Sequence, residues 1–309
     1  MGTEIARLAA PDLAHDLDLS GDELVSLLEL AGEVKRNPST FADALRGKSI
    51  ALVFEKPSLR TRLTFELGMK QLGGNAVACD GPVAAREPLR DVARNLDRWT
   101  SGIVARTFLQ ATIDQLAHWS SVPVINALSD LYHPCQALAD VQTLKERFGG
   151  WRGLKLAFVG DGNNVAHSLM LTATRLGTDV TVAVPDGYGP AANIVSQAEG
   201  LAAVAGTTLT VTNDPFSAVE GAHAVYTDVW ASMGQETEAE KRRNAFARFQ
   251  VNETLFARAR PDAVFMHCLP ARRGEEVSDA VIECERSVVF DQAENRLHAQ
   301  KALMLMLLG

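Results

Sequence analysis

Phe54-Glu55-Lys56-Pro57-Ser58-Leu59-Arg60-Thr61-Arg62 joins two unlike patterns. Before it, Ser49-Ile50-Ala51-Leu52-Val53-Phe54 is a short apolar run that reads as a buried strand. After it, residues 63–72 are rich in helix formers and close on Gly73-Gly74, a helix stop. A strand therefore runs into a turn, and the turn opens a helix. A helix N-terminus leaves N–H groups without intrahelical partners and carries partial positive charge, so it attracts anions. Ser58 and Thr61 add hydroxyls, and Arg60 and Arg62 add forked donors that fit phosphate or carboxylate oxygens. An ordinary cap needs one hydroxyl. Two hydroxyls and two guanidinium groups within the five residues from Ser58 to Arg62 read as a phosphate cradle built without the glycines of a P-loop.

The alternation continues on both sides. Upstream, Ser20-Gly21-Asp22-Glu23 is a capping box, and the helix it starts puts Leu24, Leu27, Leu28, Ala31 and Val34 on one face before Pro38 ends it. Downstream, strands are expected at 75–79, 103–105 and 122–126. Helices fall around Leu89, Val92, Ala93 and Leu96, at 113–119 and at 137–147, the last preceded by a loop carrying His133-Pro134-Cys135-Gln136. Gly149-Gly150 breaks the chain, which sets a first domain at 1–148 and a second at 149–290. Strands at 154–159, 180–184, 209–211, 224–227 and 263–266 alternate with helices in the second half. A long helix within 291–309 is expected to return to the first domain. The fold class is α/β: two doubly wound domains, each a mainly parallel sheet flanked by helices. Such sheets bind ligands beyond the C-terminal ends of their strands. Arg106, the 133–136 loop, Asp228 and Cys268 all follow expected strands, which gathers them into one candidate site.

Composition narrows the function. The chain has 309 residues, 47% of them hydrophobic and 22% charged, as expected of a folded protein with a real core. No apolar run approaches the ~18 residues of a membrane span. Met1-Gly2-Thr3-Glu4 opens without the basic and apolar regions of a signal peptide. Cys79, Cys135, Cys268 and Cys284 are scattered without disulfide spacing, so reduced thiols in a cytoplasm are expected. A net charge of −8 argues against nonspecific nucleic-acid binding, and makes the arginine-rich turn a local anion site.

Several patterns invite other readings. Gly160-Asp161-Gly162-Asn163-Asn164-Val165 suggests a dinucleotide turn and a nucleotide-dependent oxidoreductase, but Val165 replaces the third glycine. Asn164 stands near a helix start, where it caps or meets a ligand. His133-Pro134-Cys135-Gln136 and His267-Cys268-Leu269-Pro270 hold two His and two Cys, yet lack C-x2-C zinc spacing, so no metal is expected. Arg272-Arg273 near Cys268 would lower its thiol pKa, while His267 need not touch Cys268. Residues 235–248 read as a solvated charge run, or as a lid hinged at Gly234.

Taken together, these motifs resemble the ornithine carbamoyltransferases of the aspartate/ornithine carbamoyltransferase superfamily. The likeness rests on the 54–62 stretch, Ala105-Arg106-Thr107-Phe108, His133-Pro134-Cys135-Gln136, Gly160-Asp161-Gly162-Asn163-Asn164, Asp228-Val229-Trp230-Ala231-Ser232-Met233-Gly234, His267-Cys268-Leu269-Pro270 and Glu294-Asn295-Arg296. It implies transfer of a carbamoyl group from carbamoyl phosphate to L-ornithine, giving citrulline and phosphate in arginine metabolism, without metal or organic cofactor. The alternative within the same chemistry is another amine, such as putrescine or an N-acylated ornithine. The resemblance assigns carbamoyl phosphate to Ser58, Leu59, Arg60, Thr61, Arg106, His133, Pro134, Cys135, Gln136, Cys268, Leu269 and Arg296. It assigns ornithine to Asn164, Asp228, Ser232 and Met233, with Arg106, His133 and Cys268 at the reacting atoms. It also implies a homo-oligomer, a trimer or a multiple of trimers, and domain closure on binding. Two departures stand out. Leu59 replaces a threonine of many relatives, where a backbone N–H still serves. No glutamine lies between Cys79 and Asp91, where many relatives place one that reaches a neighbouring subunit, and Arg86 is the candidate substitute.

Overall fold

The computed structural model describes residues 5–231 and 236–309. It divides into two compact units: the chain up to Gln142 together with Glu294–Gly309, and Thr143–Ala293.

In the first unit, α1 (Gly21–Arg36) begins at a complete capping box. The Ser20 hydroxyl accepts from the Glu23 N–H at 3.2 Å, and the Glu23 carboxylate accepts from the Ser20 N–H at 2.8 Å. Its expected apolar face is the buried one. The central strand β1 (Ser49–Phe54) runs into α2 (Arg60–Gln71), which Gly73 closes at φ +83°. Then come β2 (Asn75–Asp80), α3 (Leu89–Trp99), β3 (Gly102–Arg106), α4 (Gln110–Trp119), β4 (Val124–Leu128) and α5 (Pro134–Phe148). All strand pairs are parallel, in the order β2-β1-β3-β4. The chain leaves β1 toward β2 and then crosses to β3 on the other side. The ends of β1 and β3 thus form a topological switch point, where open α/β sheets bind ligands. Phe54 pairs with Arg106 there. The expected 133–136 loop is instead the start of α5: proline lacks the N–H that a first helical turn leaves over, so Pro134 can head the helix.

The second unit holds β5 (Lys155–Val159), α6 (Asn164–Arg175), β6 (Asp179–Ala183), α7 (Ala192–Ala205), β7 (Leu209–Thr212), α8 (Pro215–Val219), β8 (Ala224–Thr227), α9 (Ala239–Phe246), α10 (Glu253–Phe256), β9 (Val264–His267) and α11 (Asp279–Ile282). Its sheet is also all parallel, in the order β7-β6-β5-β8-β9. The switch point lies between β5 and β8, at the ends that carry Gly160 and Asp228. The simpler reading of the charge run was a solvated segment, yet Arg242 and Phe246 of α9 are buried. A partner outside the run holds Arg242, as described below. No helix among the described residues is long and apolar enough to cross a membrane.

The last helix, α12 (Val289–Leu308), packs from Glu294 onward against the first unit. Its Met304 and Lys301 lie against Gly68 of α2: a Cβ at Gly68 would sit 2.9 Å from Met304 Cε and 3.3 Å from Lys301 Cγ. Lys301 Nζ donates to Gln71 Oε1 at 3.1 Å. The missing side chain at Gly68 lets the two helices approach. Gly68→Val should therefore destabilise the protein by about 1–3 kcal/mol through overpacking, read as a lower urea midpoint at unchanged m-value.

Candidate active site

In the first unit, α2 starts without a side-chain cap, because Leu59 occupies the capping position. The Thr61 hydroxyl serves Arg296 instead, and its Oγ1 accepts from Arg296 Nη2 at 2.9 Å. Arg296 Nη1 donates to Gln136 Oε1 at 2.6 Å, and Gln136 Nε2 donates to Asp140 Oδ1 at 2.8 Å. Arg296 is only 3% exposed, and Thr61, Arg106, His133 and Gln136 are buried with it. The His133 carbonyl accepts from the Ala137 N–H at 3.2 Å and closes the first turn of α5. Burial first, then the charges of Arg296 and Arg106, hold the His133 imidazole well below its ordinary pKa. It is neutral at pH 7, one N–H donor between guanidinium groups. Burial, followed by the charge of Arg106, also depresses the Lys56 ammonium, which lies 4.7 Å from the Phe108 ring centroid. A cluster in which cations lower one another's pKa values favours an anion.

Other residues singled out in the sequence fall differently. Arg60 heads α2, half-buried, whereas Arg62 donates to Glu66 at 3.0 Å. Ser58 is half-buried and Leu59 is 69% exposed. Pro134 is the first residue of α5. Cys135 is fully buried, its Sγ faces the Asn126 carbonyl at 3.4 Å, and burial pushes its thiol up to about 12. Its side chain is packing. The sequence motifs give no role to Glu55, yet its carboxylate accepts from the Phe108 N–H at 2.9 Å and ties down the loop after Arg106.

In the second unit the centre is Asp228, beyond β8. Its carboxylate accepts from Asn163 Nδ2 at 2.8 Å, from the Val229 N–H at 2.8 Å and from Cys268 Sγ at 3.0 Å. The cap of α6 is Asn163, not Asn164: its Oδ1 accepts from the N–H groups of Val165 and Ala166. Asn164 is the first helical residue. The expected arginine environment of Cys268 is replaced by a carboxylate, since Arg272 pairs with Glu275 and Arg273 with Asp279 and Glu283. His267 lies near the thiol, but both its ring nitrogens are engaged elsewhere. Its Nδ1 accepts from the Leu269 N–H at 2.8 Å and its Nε2 faces Glu276 Oε1 at 3.1 Å, so the proton sits on Nε2. The first of these bonds holds Leu269 at φ +56°, a left-handed conformation that costs about 1–2 kcal/mol in a non-glycine residue. Behind the site, Arg242 Nη1 donates to Asp161 Oδ2 at 3.0 Å and to the Trp230 carbonyl at 2.9 Å. Burial pushes the Asp161 carboxyl up to about 6 against the pull of that guanidinium. Ser232, Met233 and the expected hinge Gly234 lie outside the described residues.

Two other chemistries fit poorly. A dinucleotide needs open space over its glycine turn. A Cβ on Gly162 would lie 2.2 Å from the Pro190 nitrogen, and the Gly162 N–H donates to the Tyr188 carbonyl, so the chain's own 188–190 loop fills that space. Asp228, His267 and Cys268 place possible metal-ligand atoms within 4.8 Å of one another. Both ring nitrogens of His267 are engaged, however, and its one lone pair already accepts from Leu269.

Comparison with known proteins gives two family matches. Residues 12–146 match the carbamoyl-phosphate-binding domain of the aspartate/ornithine carbamoyltransferases, and residues 152–307 match their aspartate/ornithine-binding domain. The ornithine carbamoyltransferase of Thermococcus kodakarensis is 50% identical over 99% of this chain and 98% of its own. The protein named "Ornithine carbamoyltransferase, anabolic" of Pyrococcus furiosus is 49% identical over the same shares. A solved structure of the ornithine carbamoyltransferase from Pyrococcus furiosus superposes with a TM-score of 0.95, at 48% identity over 99% of both chains.

The depressed pKa of His133 makes a signed prediction. Its ordinary value is 6.5, and the folded state binds this proton more weakly than the unfolded chain. Its contribution to stability is complete above about pH 6.5 and is lost as pH falls toward the folded pKa. Unfolding free energies measured between pH 8 and 5 should fall more steeply for the wild type than for His133→Asn.

Proposed function

This chain belongs to the aspartate/ornithine carbamoyltransferase family, and we propose that it transfers the carbamoyl group of carbamoyl phosphate to the δ-amine of L-ornithine, giving L-citrulline and phosphate. The observation that carries the donor half is the buried Arg296 guanidinium held on Thr61 and Gln136 beside Arg106 and His133. The acceptor half is supported by the Asp228 carboxylate and by full-length relatives named for ornithine.

Carbamoyl phosphate carries its negative charge on the phosphate and its reactivity at the carbonyl carbon. The first N–H groups of α2, with Ser58, Arg60 and Thr61, hold the phosphate through the backbone at Leu59 rather than its exposed side chain. Arg296 adds charge, oriented by Gln136 from the first turn of α5. Arg106, Thr61 and His133 donate to the carbonyl oxygen, which becomes more negative as the amine adds; donors fixed in advance for that charge stabilise the transition state. A neutral His133 donates without needing a proton from solvent. Cys268 and Leu269 belong to the turn beyond β9, where the thiol is a polar contact for the amine.

The δ-amine has a lysine-like pKa of roughly 10.4 in water. It attacks only as the free base, since ammonium has no lone pair. Nearby guanidinium charge disfavours the cation. Asp228 grips the α-amino group, with Asn164, Ser232 and Met233 completing the ornithine contacts. Attack forms the new C–N bond, the tetrahedral centre collapses, and the C–O bond to phosphate breaks as the amine proton passes to the departing phosphate.

We assign the active form as a homo-oligomer, a trimer or a multiple of trimers. Its support on this chain is an apolar stripe: Leu59 at the cap of α2 and Leu63 and Leu67 on it are exposed at four-residue spacing, with Val77 exposed on the edge strand β2. The loop after β2 would meet a neighbouring copy, with Arg86 exposed on it. Arginine synthesis in a cytoplasm suits the reduced cysteines and the anabolic relative.

Steady-state assays with carbamoyl phosphate and a panel of amines test the reaction. Citrulline should form from ornithine without nucleotide, with putrescine and N-acetylornithine turned over far more slowly. Arg106→Ala should lower turnover by ~10²-fold or more, the usual cost of removing such a donor; a loss within about threefold would end the polarising role.

A further inference from the structure

Arg106 ends β3, His133 follows the turn after the neighbouring β4, and the pairing between those strands is irregular. Ala105 pairs with Asn126, but Arg106 pairs with Leu128, so Ala127 is an extra residue in β4. A bulge of this kind twists the strand locally and re-aims the side chains beside it. The extra residue is bracketed by one side chain. Gln110, the first residue of α4, accepts at Oε1 from Asn126 Nδ2 at 3.0 Å, before the bulge, and from Ser129 Oγ at 2.5 Å, after it. Its Nε2 donates to the Ala14 carbonyl at 3.1 Å and to Asp114 at 2.9 Å, which sets the amide the right way round. Its backbone N–H donates to Asp130 at 2.7 Å.

Ser129 continues the connection. Its hydroxyl accepts from the N–H groups of Leu131 at 3.2 Å and Tyr132 at 3.1 Å, and its own N–H donates to the Tyr132 carbonyl. These bonds form the turn that delivers His133. On the other side, the Thr107 N–H donates to the Leu128 carbonyl at 3.0 Å, directly after Arg106. Asn126 and Ser129 are fully buried, so water does not substitute for lost bonds at no cost.

We propose that Gln110 and Ser129 are positioning residues: together they clamp the bulge at Ala127 and so set the spacing of Arg106 and His133 at the carbonyl oxygen. This rests on the reading that those two residues polarise the carbamoyl group. The clamp acts through the backbone, on geometry that tolerates little error, since a misplacement of about 1 Å costs ~10²-fold in rate.

The test is an isosteric pair. Ser129→Val and Ser129→Thr have the same shape, and only threonine keeps the hydroxyl. Both are assayed for kcat, for both KM values and for Tm, in the wild-type and Arg106→Ala backgrounds. Ser129→Val should lower kcat by about tenfold or more, with the ornithine KM within about twofold, and Ser129→Thr should recover most of that loss. In the Arg106→Ala background the Val–Thr difference should shrink, because the positioned group is gone. Gln110→Leu, at the half-exposed start of α4, should reproduce the kcat loss if Ser129→Val folds poorly. Equal kcat for Val and Thr, a drop in Tm at unchanged kcat, or an undiminished difference in the Arg106→Ala background would each overturn the clamp. Wild-type turnover in both Arg106→Ala and His133→Ala would instead remove the polarising role, visible without any change at Ser129.

Discussion

A guanidinium group buried to 3% exposure is the constraint on which the first unit depends. Removing such a charge from water is costly unless its donors are satisfied. Arg296 donates to the Thr61 hydroxyl and to the Gln136 amide oxygen. Burial, with this charge added to it, keeps the His133 imidazole neutral. Thr61 lies at the start of α2, Gln136 in the first turn of α5, and Arg296 on the returning helix α12, so three elements distant in sequence are tied at one point. The close approach of α12 over Gly68 holds that helix in place.

The second unit is organised around the opposite sign. The Asp228 carboxylate gathers donors from the end of β5, from its own backbone and from the end of β9. The glycine turn after β5 thereby serves a cap, Asn163, that also steers an acid. Its glycine at 162 is required by the approach of the 188–190 backbone rather than by a phosphate. The buried Arg242–Asp161 pair supports the turn from below and ties α9 to it. Leu269 shows where backbone energy is spent: a left-handed leucine persists because His267 and Glu276 hold its N–H in place.

Much of this was legible in the residues. The β1 run, the capping box at Ser20 and the glycine stop after α2 are local signals, and local physics decides them. Strand ends gathered Arg106, His133, Asp228 and Cys268 into one candidate site, and the family resemblance of the motifs implied the chemistry. The rest depended on partners far along the chain. Whether Asn163 or Asn164 caps α6 turns on one residue of backbone geometry. Arg242 looked solvated because Asp161, 81 positions away, is absent from any local window. The bulge at Ala127 leaves no composition signal; it is a property of the register between β3 and β4. Pro134 reads as a loop residue in isolation, although the first helical turn suits it.

The central claim is that the buried Arg296 guanidinium, held on Thr61 and Gln136, supplies charge to the anion site. Calorimetric titration of carbamoyl phosphate into folded Arg296→Gln, in the absence of ornithine, measures it directly. Loss of one charge-assisted contact of about 1.5–3 kcal/mol predicts binding weaker by about 10- to 150-fold. A dissociation constant within about twofold of wild type would contradict it.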